Sequence, residues 1–312
     1  MSHSGLSAPN SPAPTRGQTV APTQGAISAP VDDLPLTPPA WRRLLRDPGG
    51  LVAGGFLLLV VLAAVMAPWL TGFDPYDNDL RSRLRPPGGE YWLGTDEQGR
   101  DMVTRLLFGI RTTLVIGLVG VVSGGLIGAM LGLLAAFYRR LDNPIMRLVD
   151  VLLSFPSILF GLAIAAVLSP GVVSLTIALA IAAVPPIARI SRGAGLVVMR
   201  QEYMEAGRAV GLSDAALLWR YLTLNCLSAI VVYLTLQFGQ TILLGAALSF
   251  LGLGAQPPVA ELGTMAAAGR DFLFFAPHVA TVPSIMIFLI VLAFNVLGDA
   301  LRDVLDPRLR QS

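Results

Sequence analysis

Lysine is absent from this chain of 312 residues, and all 22 of its basic residues are arginine. A phosphate-binding loop of the form GxxxxGK[ST] needs the lysine ammonium on the nucleotide, so the chain cannot hydrolyse ATP by that route. The single cysteine, Cys226, rules out an intramolecular disulfide; at the edge of an apolar run it reads as a small buried hydrophobe. With only His3 and His278 there is no HExxH and no histidine pair for a metal, and no metal site is assigned. Charged residues make up just 13% of the chain and the net charge is +2 with both signs interspersed, which gives nucleic acid nothing to bind.

Charge is also missing where it would matter most to a self-powered carrier. Residues 113–137, 226–252 and 279–298 hold no Asp, Glu, His, Lys or Arg. Proton relays and voltage sensors need Asp, Glu, His or Arg inside the membrane, so any energy source lies outside the lipid. What the chain has instead is apolar surface: 54% of residues are hydrophobic and the mean hydropathy is +0.67. That is more than a soluble core of this size can use, and lipid is the expected solvent.

The apolar residues fall into six runs, from about residue 49 and then at 113–137, 145–168, 172–190, 226–252 and 279–300, each near the ~17–25 residues that cross a bilayer. The fold class expected is an all-α integral membrane protein with six transmembrane helices. Residues 1–40, rich in Pro, Ser, Thr, Ala and Gly, read as a disordered tail. An uncleaved first helix follows within 41–72, then an external loop over 73–111, a core over 112–302 and a C-terminal segment over 303–312. The tail, 138–147, 189–220 and the C-terminus hold 15 arginines against 7 in 71–111 and 255–277, which puts both termini in the cytosol of a cell with its inner or plasma membrane as the site.

Within the external loop, Thr95-Asp96-Glu97-Gln98 has capping-box spacing, and Met102, Val103, Leu106, Leu107 and Ile110 share a helical face. This predicts an amphipathic helix outside the membrane core, lying on the outer leaflet or packed on protein. Gly120, Gly124, Gly128 and Gly132 leave one face of the second span almost bare for a close helix contact. Pro156, Pro185, Pro186 and Pro283 are expected to bend or break the third, fourth and sixth spans. Arg147, Asp150, Arg189 and Arg192 lie near span ends, where snorkelling accounts for them.

Two places stand out as functional. In the loop 193–224, Glu202 to Val210 reads as a short polar helix, Gly211 as its left-handed stop, and Ser213 as the cap of a second helix that starts at Asp214. A hairpin of that kind is a docking surface. In the fifth span, Tyr233, Gln237 and Thr241 stand four apart with Gln240 beside them, an uncharged polar stripe. It reads either as interhelical hydrogen bonding or as the lining of a path that offers amides to a peptide-like solute.

Four blocks, in order, resemble the C-type permease subunit of dipeptide, oligopeptide and nickel ABC importers. They are Leu93-Gly94-Thr95-Asp96-Glu97-Gln98-Gly99-Arg100-Asp101 with Arg105 to Arg111; Met146 to Asp150 leading to Leu153-Ser154-Phe155-Pro156; the Glu205-Ala206-Gly207 segment ending at Gly211; and Leu248 to Gly254, Gly269-Arg270-Asp271 and Leu297 to Arg308. The family pattern has Glu-Ala-Ala and a closing Leu-Pro where this chain has Gly207 and Thr223-Leu224. The resemblance implies a type I ABC importer permease fold and a non-catalytic membrane subunit that moves di- or oligopeptides. It implies a homologous B-type permease partner, an extracytoplasmic solute-binding protein, and two cytosolic ATPase domains or subunits that carry the ATP and Mg, with no cofactor in this chain. On the same ground Glu202, Glu205, Ala206, Gly207, Arg208, Gly211, Ser213 and Asp214 are expected at the ATPase contact, with Gly207 letting that surface approach the backbone. Tyr233, Gln237, Gln240 and Thr241 are the candidate path residues. The alternatives are a stand-alone secondary carrier or channel, and the same ABC fold importing nickel or haem-like cargo.

Overall fold

The computed structural model of the protein describes residues 47–305. The tail expected over 1–40 and most of the segment 303–312 lie outside the described residues. The principal helices are α1 (Pro48–Val65), α2 (Met102–Phe137), α3 (Arg139–Ser154), α4 (Ser157–Leu168), α5 (Val172–Val198), α6 (Glu202–Ala209), α7 (Leu224–Phe250), α8 (Leu262–Gly269) and α9 (His278–Leu305). Five stretches are long and apolar enough to cross a membrane: α1, α2, α5, α9, and the continuous helical run Asp214–Phe250 that includes α7. The sixth is the pair α3 and α4, which bends by 88° at Phe155-Pro156. The chain is therefore an all-α membrane protein with six spans when the bent pair counts as one.

The centre of the bundle is the contact between α2 and α5. The four glycines of α2 meet α5 in parallel register: Gly120 faces Leu179, Gly124 faces Ala180 and Ala183, Gly128 faces Val184 and Ile187, and Gly132 faces Ala188 and Ser191. A methyl group at Gly128 would stand 2.6 Å from the Val184 carbonyl oxygen. Only bare backbone permits that approach, and the reward is dense van der Waals contact in a solvent where burial of apolar surface drives nothing. α7 runs antiparallel across α2, with Phe238 and Ile242 against Gly117 and Leu234 against Gly125. α9 then seals α7, where Phe238 and Phe294 rings sit 4.4 Å apart.

α1 shows what lipid does to a sequence. Asp47 caps it by accepting from the Gly50 N–H (2.6 Å), and Pro48 occupies the first turn, where its missing N–H costs nothing. Only Gly50, Ala53, Leu57, Val60 and Ala64 are buried, a stripe that joins the core of α2, α7 and α9, while Leu58, Leu59, Leu62 and Val65 point outward.

Three expectations are corrected. No separate amphipathic helix precedes the second span; residues 102–111 are the first turns of α2, whose 36 residues reach about 54 Å and overshoot the ~30 Å hydrocarbon layer. Met102, Leu106 and Ile110 are buried against protein, with Leu262, Met265 and Val279 nearby. The cap of that helix is Asp101, which accepts from the Thr104 N–H (2.7 Å), and Thr95 is used elsewhere. Arg189 and Arg192 do not simply snorkel. Arg192 grips Asp142 through Nε (2.5 Å) and a terminal nitrogen (2.6 Å), and Arg189 pairs with Asp150, so the polar helix α3 is tied to α5 at two points. Finally, α5 and α9 run through Pro185, Pro186 and Pro283 as continuous helices, and only Pro156 marks a break.

The bare face of α2 makes a measurable claim. Gly124→Val should lower the melting temperature of the detergent-purified protein by roughly 3–10 °C, the equivalent of about 1–3 kcal/mol of overpacking. Gly55→Val, where an added Cβ meets nothing within 4 Å, should leave it unchanged. Equal melting of the two variants would remove α2–α5 packing as the organising contact.

Candidate functional site

At the end of the bundle that carries residues 71–101 and 255–277, the first sequence block folds into a buried polar hub. Gly94 and Gly99 both take positive φ (+78° and +80°), and a side chain at Gly99 would run into the Asp79 carbonyl. Those turns wrap the chain around Asp96, which is 3% exposed. Asp96 accepts from the Gln98 and Arg100 backbone N–H groups (2.8 and 3.0 Å) and from the Arg100 Nε (2.7 Å), and Arg105 Nε reaches it at 3.2 Å. Arg105 also donates to the carbonyls of Pro75 (3.1 Å) and Pro258 (3.4 Å). The Thr95 hydroxyl donates to the Ser82 carbonyl and accepts from the Arg85 N–H, and its own carbonyl meets His278 Nε2 at 3.2 Å. Asp79, at the start of the same turn, accepts from the Ser82 hydroxyl and the Arg81 N–H, which hold its carboxyl below the usual carboxylate range. Counting arginines by loop does not reveal that Arg100 and Arg105 are buried together. The signal missed is an aspartate four residues before an arginine, in a segment with glycines at 94 and 99.

At the opposite end, α6 and the helical run from Asp214 form the hairpin. The Val210 N–H closes on Ala206, the Leu212 N–H on Gly207, and Gly211 turns the chain at φ +85° with open space around it. Ser213 then caps by accepting from the Ala216 N–H (3.3 Å). Met204 and Gly207, three apart, face inward onto Leu217, Leu218 and Leu222, while Glu202, Tyr203, Glu205, Ala206, Arg208 and Asp214 face out and Val210 is 84% exposed at the tip. Gly207 thus corrects the expectation placed on it: an added Cβ would lie 2.9 Å from Leu217 Cδ2, so the glycine admits the hairpin's own second arm and not an outside surface. Glu205 makes no ion pair among the described residues, and Arg208 instead stands over the Phe137 ring at 5.9 Å.

The hairpin is rigidly mounted. α5 continues to Val198, into what the sequence assigned to the loop 193–224. After Ala216 the helix passes through a π-helical stretch, Leu217–Thr223, and straight on into α7. Leu224 stands where the family pattern has its proline, and the hydroxyl of Thr223 before it donates to the Leu218 carbonyl (2.9 Å), five residues back, in step with the wide turn. Re-entry therefore involves no break.

The polar stripe of α7 borders an open cleft of about 460 Å³ lined by Leu153, Ser157, Ala182, Pro186, Gln237, Gln240, Thr241, Leu243, Leu244 and Ala247. Three of the four stripe residues meet there. Tyr233, half-buried one turn away, does not line it. Neither glutamine amide has a hydrogen-bond partner among the described residues, and both border the cleft.

Comparison with known proteins agrees with this architecture. A family described as binding-protein-dependent transport system inner membrane component matches residues 124–311, and the N-terminal TM domain of oligopeptide transport permease C matches residues 39–87. A putative peptide transport system permease of Brucella abortus is 45% identical over 86% of this chain and 91% of its own length. The di/tripeptide transport system permease DppC of Pseudomonas aeruginosa is 41% identical over 91% and 98%. The glutathione transport system permease GsiD of Pectobacterium atrosepticum is 43% identical over 86% and 90%. Among solved structures, an inward-facing MetNI methionine ABC transporter superposes with a TM-score of 0.55 over 66% of this chain and 98% of that one, at 22% identity, which bears on the fold. Such a family works in a membrane with an ATPase and a solute-binding protein. The chain belongs to the binding-protein-dependent transport system inner membrane components and is a non-catalytic, multi-pass permease subunit of an ABC importer.

Proposed function

We propose that this chain is the C-type half of a peptide importer, moving di- or oligopeptides delivered by an extracytoplasmic binding protein across the inner membrane. The carrying observation is the likeness to peptide and di/tripeptide permeases over 86–91% of the chain. A homologous B-type subunit supplies the other wall of the path. Both termini face the cytosol, in keeping with the excess of arginine in the tail, 138–147, 189–220 and the C-terminus. ATP and Mg are bound by two cytosolic ATPase domains, since a chain without lysine cannot form their phosphate loop. This chain needs no cofactor of its own.

In this reading α6 is the contact with an ATPase. Its outward acids Glu202 and Glu205, together with Ala206, Arg208, Val210 and the turn at Gly211-Leu212-Ser213-Asp214, make the docking face, while Met204 and Gly207 brace it from behind. The same arrangement separates two substitutions that the sequence alone treats alike. Gly207→Ala gains about 1 kcal/mol of helix propensity against one tight contact on a movable leucine methyl, so uptake should stay near wild type. Gly207→Leu cannot fit beside Leu217 and should lift α6 off its support; ATP-driven uptake by the assembled importer then falls by more than about tenfold while ATP hydrolysis persists, a misplacement effect of the size expected for displaced machinery. Uptake by Gly207→Leu at the wild-type rate would show that the hairpin does not couple.

For the path, Gln237→Leu with Gln240→Leu removes two unpartnered amides from the cleft. Peptide uptake should drop about fivefold to tenfold, about the worth of one or two hydrogen bonds, with insertion and assembly retained. Unchanged uptake and unchanged peptide preference would take the stripe out of the path. Vanadate-sensitive dialanine uptake by the importer reconstituted with its partners tests the substrate class directly.

A further inference from the structure

The cleft beside α7 holds more than its glutamines. On the α5 wall stand Ala182 and Pro186, and on the side of the bent pair stand Leu153 and Ser157. Proline has no N–H, so Pro186 leaves the Ala182 carbonyl without the donor a helix normally gives it, and that carbonyl belongs to a residue of the cleft wall. Pro185, its neighbour, is buried and does not line the cleft. Across the cleft, α4 starts afresh after the 88° bend, and its first residue is Ser157. No side chain caps it, and neither the Ser157 nor the Ile158 N–H has an acceptor among the described residues, the first closing bond being Leu159 N–H to Pro156 (2.9 Å). Between the two walls Thr241, 3% exposed, lines the cleft with no side-chain hydrogen bond among the described residues.

The cleft thus has a partial positive end at the α4 N-terminus, a partial negative end at Ala182, and amide and hydroxyl groups between them. No lining residue carries a full charge. Broken helices in a membrane are tolerated where the freed backbone faces a cavity, and such ends attract substrate charges of opposite sign. Partial charges also suit a path, because a solute must leave as readily as it enters. The volume, about 460 Å³, falls in the range of small-ligand clefts.

We propose that this cleft is a main-chain site for a zwitterionic peptide, with the peptide carboxylate at the α4 N-terminus, its amino group at the Ala182 carbonyl, and Gln237, Gln240 and Thr241 on the backbone between. This deepens the peptide-importer reading and rests on it. Side chains of the peptide touch no charged group of this chain, so selection acts on the two ends and not on the residues carried.

The test uses the whole importer in proteoliposomes, with its ATPase and binding protein, and labelled dialanine as the probe. Ser157→Asp puts a carboxylate where the peptide's own would lie, yet an acid in the first turn favours the helix, so folding is preserved. Dialanine uptake should fall more than about tenfold, as like charges forced together cost. Pro186→Val returns an N–H to Ala182 at similar volume and should lower the maximal rate about fivefold. Pro185→Ala, away from the cleft lining, should change it less than about twofold. Wild-type uptake by Ser157→Asp or Pro186→Val overturns the site, and so does an equal loss in Pro185→Ala, which would assign the effect to helix shape. The two walls are probed separately, so a folding defect in one variant leaves the other to decide. A wild-type importer that takes up no peptide overturns the peptide reading along with the site; peptide uptake indifferent to these variants overturns the site alone.

Discussion

The arrangement depends on the contact between α2 and α5, where four glycines at a spacing of four let two backbones touch. Lipid offers apolar side chains no reason to leave it, so helices associate through fit, and the fit is best where side chains are absent. Fixing α5 against α2 fixes much else. α3 is held to α5 by the Asp142–Arg192 and Asp150–Arg189 pairs, and α5 also supplies the Ala182–Pro186 wall of the cleft. One proline of the pair at 185 and 186 is buried in the bundle and the other lines the cleft.

Much of this was legible in the sequence because lipid simplifies the code. The apolar runs gave the spans, the glycine spacing gave a close helix contact, and Gly211 and Ser213 gave the hairpin's turn and cap. What stayed hidden were facts of direction and partnership. Helical periodicity can say that Met204 and Gly207 share a face; it cannot say that the face meets Leu217 and not another protein. Likewise an arginine near a span end has the same pattern whether it snorkels or grips an aspartate fifty residues away, as Arg192 does.

The hub around Asp96 illustrates the same limit for charge. Counting arginines by loop treats each as a free positive charge, yet Arg100 and Arg105 are buried and shared between one aspartate, Glu97 and two proline carbonyls. Groups this deeply buried persist only when their hydrogen bonds are met, and removal of one partner strands the rest. The hub therefore acts as a clasp. It joins the loop 71–101 to the first turn of α2, to the start of α9 through His278, and to the loop before α8 through Pro258.

Two of the helices that line the cleft, α5 and α7, lead directly to the hairpin, and this is the structural basis for force to travel. α5 carries Ala182 and Pro186 and ends at Val198, about 18 Å further along its axis. The run Asp214–Phe250 carries Gln237, Gln240 and Thr241 on the same rod that begins beside the cap at Ser213. Between these two rods hangs α6, clamped by Met204 and Gly207 onto Leu217. Load applied to the outer face of α6 cannot be absorbed by a slack linker, since the hairpin's turn is closed by its own backbone bonds and its second arm is already helix. It reaches α5 and α7 together, and a movement of α5 relative to α4 alters the distance between the α4 N-terminus and the Ala182 carbonyl, the spacing on which the proposed hold on a peptide's two ends depends.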